Sequence, residues 1–196
     1  MNLSISTSDL VTPRIIKLME GMGGNNSELN AAMGHEVQRL THFHLSFLAA
    51  TRHTTASKLG ATPSNHLAQA AEKVSAPSAL SADSSSATLT INHPGMIRAL
   101  RDVTIVPRDA KSLAIPVHAL AYNRRPREIW DALKLFIPKG KNVICMPSGN
   151  TITTLYVLVR SVTQKQDRTL LPSQQNFEKA AKLGAQRYLK SLKQSQ

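Results

Sequence analysis

One apolar stripe in the first third of the chain places the strongest constraint on the fold. Its members recur at intervals of three or four residues: Leu29, Met33, Val37, Leu40, His44 and Phe47, with Phe43 and Leu48 widening the stripe. These intervals match the 3.6-residue period of a helix that buries one face. Ser27 and Glu28 are typical of a helix start. The sequence therefore predicts a long amphipathic helix from Ser27, with this stripe against the core.

Three further segments carry helix signals. Thr12-Pro13 begins a short helix, because proline is favoured at the first helical position, and the glycines between Gly21 and Gly24 end it. A second helix follows Pro63-Ser64 and extends to Val74. A last helix starts at Ser173. It places on one face Phe177, Ala181, Gly184, Tyr188 and Leu192, and on its other faces Lys179, Lys182, Arg187, Lys190 and Lys193.

Between these helices the residue pattern becomes typical of strands. The predicted strands are Met1 to Thr7 at a sheet edge, Ala87 to Asn92, Asp102 to Pro107, Leu113 to Val117, Lys141 to Met146 and Ile152 to Val162. A turn around Arg108-Asp109 joins the third and fourth, and Pro147-Ser148-Gly149-Asn150 joins the last two as a hairpin. Pro126 begins a short helix through Leu133. The predicted class is α+β, with N-terminal helices, a central antiparallel sheet and a closing C-terminal helix.

A length of 196 residues suits one domain. Within the single domain 1–196 we expect a helical part over 1–74, a serine-rich segment over 75–86, and a β-sheet core with the closing helix over 87–196. Six of the twelve residues of the middle segment are serine. Two interpretations stay open for it: an ordinary connecting loop, or an arm that becomes ordered against a neighbouring subunit.

The charge balance points to an anionic partner. Lys and Arg total 24 against 12 Asp and Glu, which gives a net charge of +12. Such a surplus favours nucleic acid, a membrane surface or an acidic protein face. Only 4% of the residues are aromatic, so base stacking of single strands is disfavoured. The N-terminus lacks the order of a signal peptide, and the charge-free stretch from Asn142 to Val159 contains hairpin residues. We expect a soluble intracellular protein.

The candidate binding residues lie in one basic segment. They are Arg124, Arg125, Arg127, Lys134, Lys139 and Lys141, and we call them the basic cluster. One interpretation is a solvated surface that supplies solubility. The other is a patch that faces DNA or an acidic subunit, with binding that weakens steeply as salt rises. Because the sequence has no helix-turn-helix, zinc-finger or RNA-binding signature, any DNA contact should be independent of base sequence.

Nothing in the sequence has the spacing of a catalytic or metal site. His42 and His44 are two residues apart on a predicted helix, so their side chains point in opposite directions. Cys145 lies in a run typical of a buried strand, where a thiol behaves as a small apolar group. Pro147-Ser148-Gly149 lacks the first glycine of a nucleophile elbow. The sequence therefore predicts no catalytic residues, no metal and no cofactor.

Four stretches together resemble a known family. They are Arg52 to Ala61 with Pro63 and His66-Leu67; His93-Pro94-Gly95 with Arg98-Ala99 and the strand Asp102 to Pro107; Lys111 to His118 leading to Ala121-Tyr122; and Leu155 to Val159 with Arg160 to Gln166 and Leu171-Pro172-Ser173. In order and spacing they resemble the phage virion-morphogenesis family, which is related to the tail-completion proteins of Mu-like and P2-like phages. The resemblance covers roughly Leu10 to Leu192.

The resemblance implies a non-catalytic virion protein. Such a subunit, made in the host cytoplasm, would form a six-fold ring with copies of itself at the head–tail neck or the tail end. Its partners would be adjacent neck, connector or tail proteins and, without sequence preference, phage DNA. His93, Pro94 and Gly95 would then form an interface loop. One departure is Asn123, which stands where a glycine is expected after Ala121-Tyr122. The alternative function is sequence-independent nucleic-acid binding, and a hydrolase of phage assembly is a third.

Overall fold

The computed structural model describes residues 3–6 and 26–194 of the chain. The chain divides into two compact units. The helical unit comprises Met1–Ala50, His66–Arg101 and Asp167–Gln196, and the strand unit comprises Thr51–Asn65 and Asp102–Gln166. Both units draw on segments that are distant in sequence, whereas the sequence predicts consecutive parts over 1–74, 75–86 and 87–196.

The described residues form five α-helices. They are α1 Ser27–Thr51, α2 Thr54–Leu59, α3 His66–Ser75, α4 Pro126–Ile129 and α5 Gln174–Gln194. The long helices predicted from Ser27 and Ser173 are confirmed, as is the helix after Pro63-Ser64. The helix predicted from Pro126 is shorter than expected, because the chain turns after Ile129. The helix expected from Thr12 and its glycine break lie outside the described residues.

The described residues also form eight strands, which make three small antiparallel sheets. They are β1 Leu3–Ser6, β2 Leu80–Ala82, β3 Ala87–Ile91, β4 Val103–Ile105, β5 Leu113–Pro116, β6 Val143–Ser148, β7 Thr151–Val159 and β8 Val162–Gln164. The strand orders are β1-β3-β2 in the helical unit, and β4-β8 and β5-β7-β6 in the strand unit. The α+β class is confirmed, and so are the edge position of β1 and the hairpin between β6 and β7.

Two strand predictions need correction. The strand predicted from Ile152 to Val162 is divided between β7, which ends at Val159, and β8, which begins at Val162. The turn around Arg108-Asp109 joins two strands with different partners: β4 pairs with β8, and β5 pairs with β7. Part of the serine-rich segment is also a strand, since β2 pairs with β3. The Asp83 carboxylate accepts hydrogen bonds from the backbone N–H groups of Ser85 and Ser86, at 2.7 and 2.8 Å. This side-chain turn closes the β2–β3 hairpin.

Much of the predicted stripe lies on the buried face of α1: Leu29 and Val37 are buried, and Met33, Leu40 and Leu48 pack against the core. The prediction is wrong for Phe43 and Phe47, which are 74% and 60% exposed, whereas Thr41 and Leu45 are fully buried. The buried face also includes Gln38, whose amide nitrogen donates to the Val74 carbonyl at 2.8 Å. The Thr41 hydroxyl donates to the Val37 carbonyl. Gln38 and Thr41 can be buried because their side chains form hydrogen bonds inside the protein. A pattern of apolar residues does not identify such buried polar positions.

Each unit has its own apolar core. Thirteen buried residues form the core of the helical unit, with side chains from α1, α3, β3 and α5, such as Val37, Val74, Leu89 and Phe177. Six form the core of the strand unit: Ala121, Ile129, Leu135, Ile144, Leu155 and Tyr156. Burial of each large apolar side chain stabilises the fold by roughly 1.5–3 kcal/mol. The smaller core of the strand unit therefore contributes less to its stability.

Candidate functional site

All six residues of the basic cluster are exposed and lie in the strand unit. Arg124 and Arg125 immediately precede α4, and Arg127 lies within it. Lys134 follows in a turn after the helix, and Lys139 and Lys141 flank Gly140 in the turn that leads to β6. The cluster therefore comes from one short helix and the turns before and after it in a single compact unit, and each side chain is open to solvent.

A buried tyrosine fixes the backbone of the arginine segment. Tyr156 of β7 is 1% exposed, and its hydroxyl donates to the Arg124 carbonyl at 3.1 Å. Burial is the main reason that the pKa of Tyr156 lies above its usual value, so the hydroxyl keeps its proton at neutral pH. Asn123 directly before has φ 59°, a left-handed conformation that glycine and asparagine tolerate best. The departure at Asn123 is therefore compatible with the turn.

An acidic residue that the sequence interpretation passed over lies within the cluster. The Glu128 carboxylate accepts from the backbone N–H of Arg125 at 2.9 Å and so caps the first turn of α4. It also lies 3.9 Å from the Arg125 guanidinium. Of the six cluster residues, Arg125 alone forms an ion pair within the described part of the chain. The pair is exposed, so it holds the arginine weakly and leaves it available to a stronger anion.

Turns with left-handed backbone orient the lysines. Lys134 has φ 50°, and its N–H donates to the Asp131 carbonyl. The neighbouring Leu135 is buried, which anchors that turn to the core. Gly140 has φ 73°, and the Lys141 N–H donates to the Pro138 carbonyl at 3.0 Å. Lys139 and Lys141 therefore project from one tight turn.

Charge and exposed apolar surface are both concentrated in the strand unit. Its sequence holds 12 basic and 4 acidic residues, a net charge of +8, and the helical unit accounts for the remaining +4. The strand unit also exposes six large apolar side chains within the described residues: Ile105, Val106, Val117, Leu120, Ile137 and Ile152. The strand unit therefore combines the larger share of the net charge with the larger share of the exposed large apolar side chains.

The loop His93-Pro94-Gly95 has an internal packing role in the helical unit. His93 is 7% exposed and its ring contacts that of His66 edge-on, with centroids 4.3 Å apart. His93 Nδ1 accepts from the Gly95 N–H at 3.3 Å and caps the 3-10 helix Pro94–Ala99. A side chain at Gly95 would collide with the His66 ring. Pro94 is exposed, so an interface role for this loop stays a prediction.

Burial lowers the pKa of both His66 and His93, and the pKa of His93 is lowered further by His66 and Lys73. The neutral rings are therefore the form that the fold stabilises. The described residues contain no group of three or more His, Cys, Asp or Glu placed to hold a metal ion. Cys145 is 2% exposed, and its sulfur lies 3.7 Å from the Thr154 hydroxyl.

No helix in the described part of the chain has the length and apolar character to cross a membrane. A scan of protein-family models, a search of curated proteins and a search of solved structures each find no match to the chain.

Proposed function

We propose that the chain is a structural subunit of a tailed-phage virion, which forms a ring with copies of itself at the head–tail neck or tail-completion interface. The four stretches that resemble the virion-morphogenesis family support this proposal. The structural observation that carries it is the strand unit, where a small core accompanies six exposed large apolar side chains and a net charge of +8.

The apolar part of this surface favours a protein partner. Ile137 and Ile152 are 50% and 63% exposed, and Val117 and Leu120 are each 41% exposed. Covering such side chains releases about 25 cal/mol per Å² of apolar surface. The strand β5 also lies at a sheet edge, with β7 on one side. In the proposed ring, neighbouring subunits cover these groups.

In the proposed ring, the basic cluster faces either the DNA channel or the neighbouring subunit. A ring at the neck surrounds a passage for DNA, so its inner surface must tolerate phosphate without gripping particular bases. The basic cluster is exposed, and its six cations outnumber the two acidic residues of the same segment, Glu128 and Asp131, which suits either the DNA lumen or an acidic face of a neighbour. The proposal includes no catalytic step, no metal and no cofactor.

The experiment is the native mass of the purified protein, with negative-stain images of the same sample at low and at high salt. Closed rings of about six or twelve subunits support the proposal. A monomer at every salt concentration, also in the presence of phage tails or heads that lack this subunit, overturns it. The double variant Arg124→Glu with Arg125→Glu should impair ring assembly or head–tail joining, and infectious particles at normal yield would contradict a role for the cluster.

A second candidate is a sequence-independent nucleic-acid-binding protein. The concentration of positive charge on the strand unit favours it, because phosphate contacts supply most of the affinity of non-specific binding. A monomer or dimer that binds duplex DNA tightly at low salt, and that never forms rings, would replace the structural proposal with this one.

A further inference from the structure

A second basic surface lies on the other unit, along the closing helix. One face of α5 packs into the core of the helical unit through Phe177, Ala181 and Ala185. Gly184 on the same face lies so close to α1 that a side chain there would collide with the Ala32 carbonyl and the Met33 backbone. The two helix backbones therefore meet in close contact at this point.

Polar contacts fix the rotation of α5 about its axis. The Tyr188 hydroxyl donates to a Glu28 carboxylate oxygen at 2.9 Å. Arg187 forms an ion pair with Glu36 of α1, and Glu36 also accepts from Arg39. These contacts use the two acidic side chains of α1 that face α5. The opposite side of α5 is thereby held toward solvent.

That opposite side carries a straight row of cations. The lysine row, as we call it, consists of Lys179, Lys182 and Lys190. Gln186 lies between the last two, so the four positions are spaced by three, four and four residues. Positions so spaced share one helix face. All four side chains are exposed. At 1.5 Å per residue the row extends about 16 Å along the helix.

The lysine row lacks acidic partners. Within the described residues none of the three lysines forms an ion pair. The sole acidic residue of α5 is Glu178, whose carboxylate accepts a hydrogen bond from the Gln174 amide. Solvent ions therefore compensate most of the positive charge of this face, and a polyanion would displace them with a gain in entropy.

We propose that the lysine row binds the phosphate backbone of duplex DNA, independently of base sequence. The row presents regularly spaced cations without a base-reading group, and phosphate contacts position a protein on DNA without reading its sequence. An acidic protein partner fits less well. Protein interfaces have an apolar, aromatic-rich centre that is poor in lysine, and the apolar residue on this face is Leu183, which is 37% exposed.

This DNA surface on the helical unit does not depend on ring formation, and it is separate from the basic cluster of the strand unit.

The first test is binding of a labelled 30-base-pair duplex by the full-length protein, measured by fluorescence anisotropy between 50 and 200 mM NaCl. The variant combines Lys179→Gln, Lys182→Gln and Lys190→Gln. Each lost phosphate contact flattens the slope of log affinity against log salt by about 0.9. The parent should therefore lose about 40-fold more affinity than the variant across this salt range.

The matched control combines Lys58→Gln, Arg108→Gln and Lys111→Gln, three exposed residues that lie outside both surfaces and change the net charge equally. It should retain the parent slope within about 0.9. Equal flattening in the control would show a response to net charge alone and would overturn the inference. No binding of the duplex by the parent at 50 mM NaCl would overturn it as well.

A gain-of-function variant guards against a misfolded helix. Gln186→Lys fills the gap in the row, and it should steepen the slope of log affinity against log salt by about 0.9.

A competition experiment distinguishes DNA from an acidic protein, with poly-glutamate of equal charge as the competitor. If it displaces the duplex from the parent as effectively as unlabelled DNA does, the partner is an acidic protein and the DNA inference fails. Native mass is measured on the same variants. Rings with an unchanged salt slope overturn this inference alone. A protein that binds DNA through the row and stays monomeric, also in the presence of phage tails or heads that lack this subunit, overturns the ring proposal alone.

Discussion

The helical unit and the strand unit differ in the size of their cores and in how much large apolar surface they expose. The helical unit has a core of thirteen of the described residues. The strand unit has a six-residue core and exposes six of the ten large apolar side chains exposed among the described residues. Charge follows the same division, +4 against +8. If the proposed ring forms, the strand unit is therefore the one expected to supply its contacts.

The largest expected effect tests the core of the helical unit. Leu45→Ala removes a fully buried side chain and should lower the free energy of unfolding by about 2–5 kcal/mol, because a cavity remains. Phe43→Ala on the same helix, at a position 74% exposed, should change it by less than about 0.5 kcal/mol. Urea unfolding followed by circular dichroism measures both. Equal losses would show that Phe43 belongs to the buried face of α1, as the sequence predicts.

A smaller change in the free energy of unfolding is expected when a single hydrogen bond of the strand unit is removed. Tyr156→Phe removes the hydrogen bond to the Arg124 carbonyl, and the free energy of unfolding should fall by about 1 kcal/mol. Tyr122→Phe is the matched control, since the Tyr122 hydroxyl forms no hydrogen bond within the described residues. DNA affinity at low salt should also fall for Tyr156→Phe, as the arginine segment loses its anchor. Identical behaviour of the two variants would remove Tyr156 as the positioning residue.

The helical unit also contains a pH-sensitive contact. The pKa values of His66 and His93 are lowered in the fold, so below the ordinary value of 6.5 the unfolded chain binds more protons than the folded one. Stability should be complete above pH 6.5 and decline as pH falls from there through the folded pKa values. The variant His66→Gln with His93→Asn should lose this component, because asparagine can still cap the 3-10 helix. Thermal melts between pH 5 and 8 measure it, and a parent melting point that stays constant from 6.5 to 5 would contradict the assignment.

The smallest effect on stability should accompany the largest effect on assembly. Ile137→Thr with Ile152→Thr replaces two exposed side chains of the strand unit by a β-branched polar residue. The free energy of unfolding of the isolated protein should change by less than about 0.5 kcal/mol for each site. Ring assembly, measured as native mass, should decrease, while Leu183→Thr on the helical unit should leave it unchanged. A large loss of stability in the isoleucine variant would show that the strand unit is complete without a partner.

Much of the secondary structure could be predicted from the sequence. The helices α1, α3 and α5 and the β6–β7 hairpin have local patterns that extend over many residues, so no distant contact is needed to find them. Pairings such as β4 with β8 were missed because strand pattern does not encode the partner. The β2–β3 hairpin was missed because a serine-rich segment has the composition of a loop, and its turn depends on hydrogen bonds to Asp83.

Of the two candidate sites, one could be predicted from the sequence and the other could not. The basic cluster could be named from the sequence, and the structure places all six of its side chains at the surface of one unit. The lysine row could not be singled out, although its lysines were visible on the closing helix. Its orientation depends on contacts of α5 with Ala32, Glu28 and Glu36 of α1, about 150 residues away in the sequence.

Local periodicity and composition are properties of neighbouring residues, so the α+β class, the long helices, the surplus of positive charge and the location of the basic cluster could be predicted from the sequence. Four features required the folded chain: the exposure of Phe43 and Phe47 on α1, the pairing of the strands, the division of charge and exposed apolar surface between the two units, and the lysines of α5 that face solvent. Those features depend on contacts between segments far apart in the chain, and each is chosen by the burial of apolar surface and the satisfaction of polar groups over a whole unit.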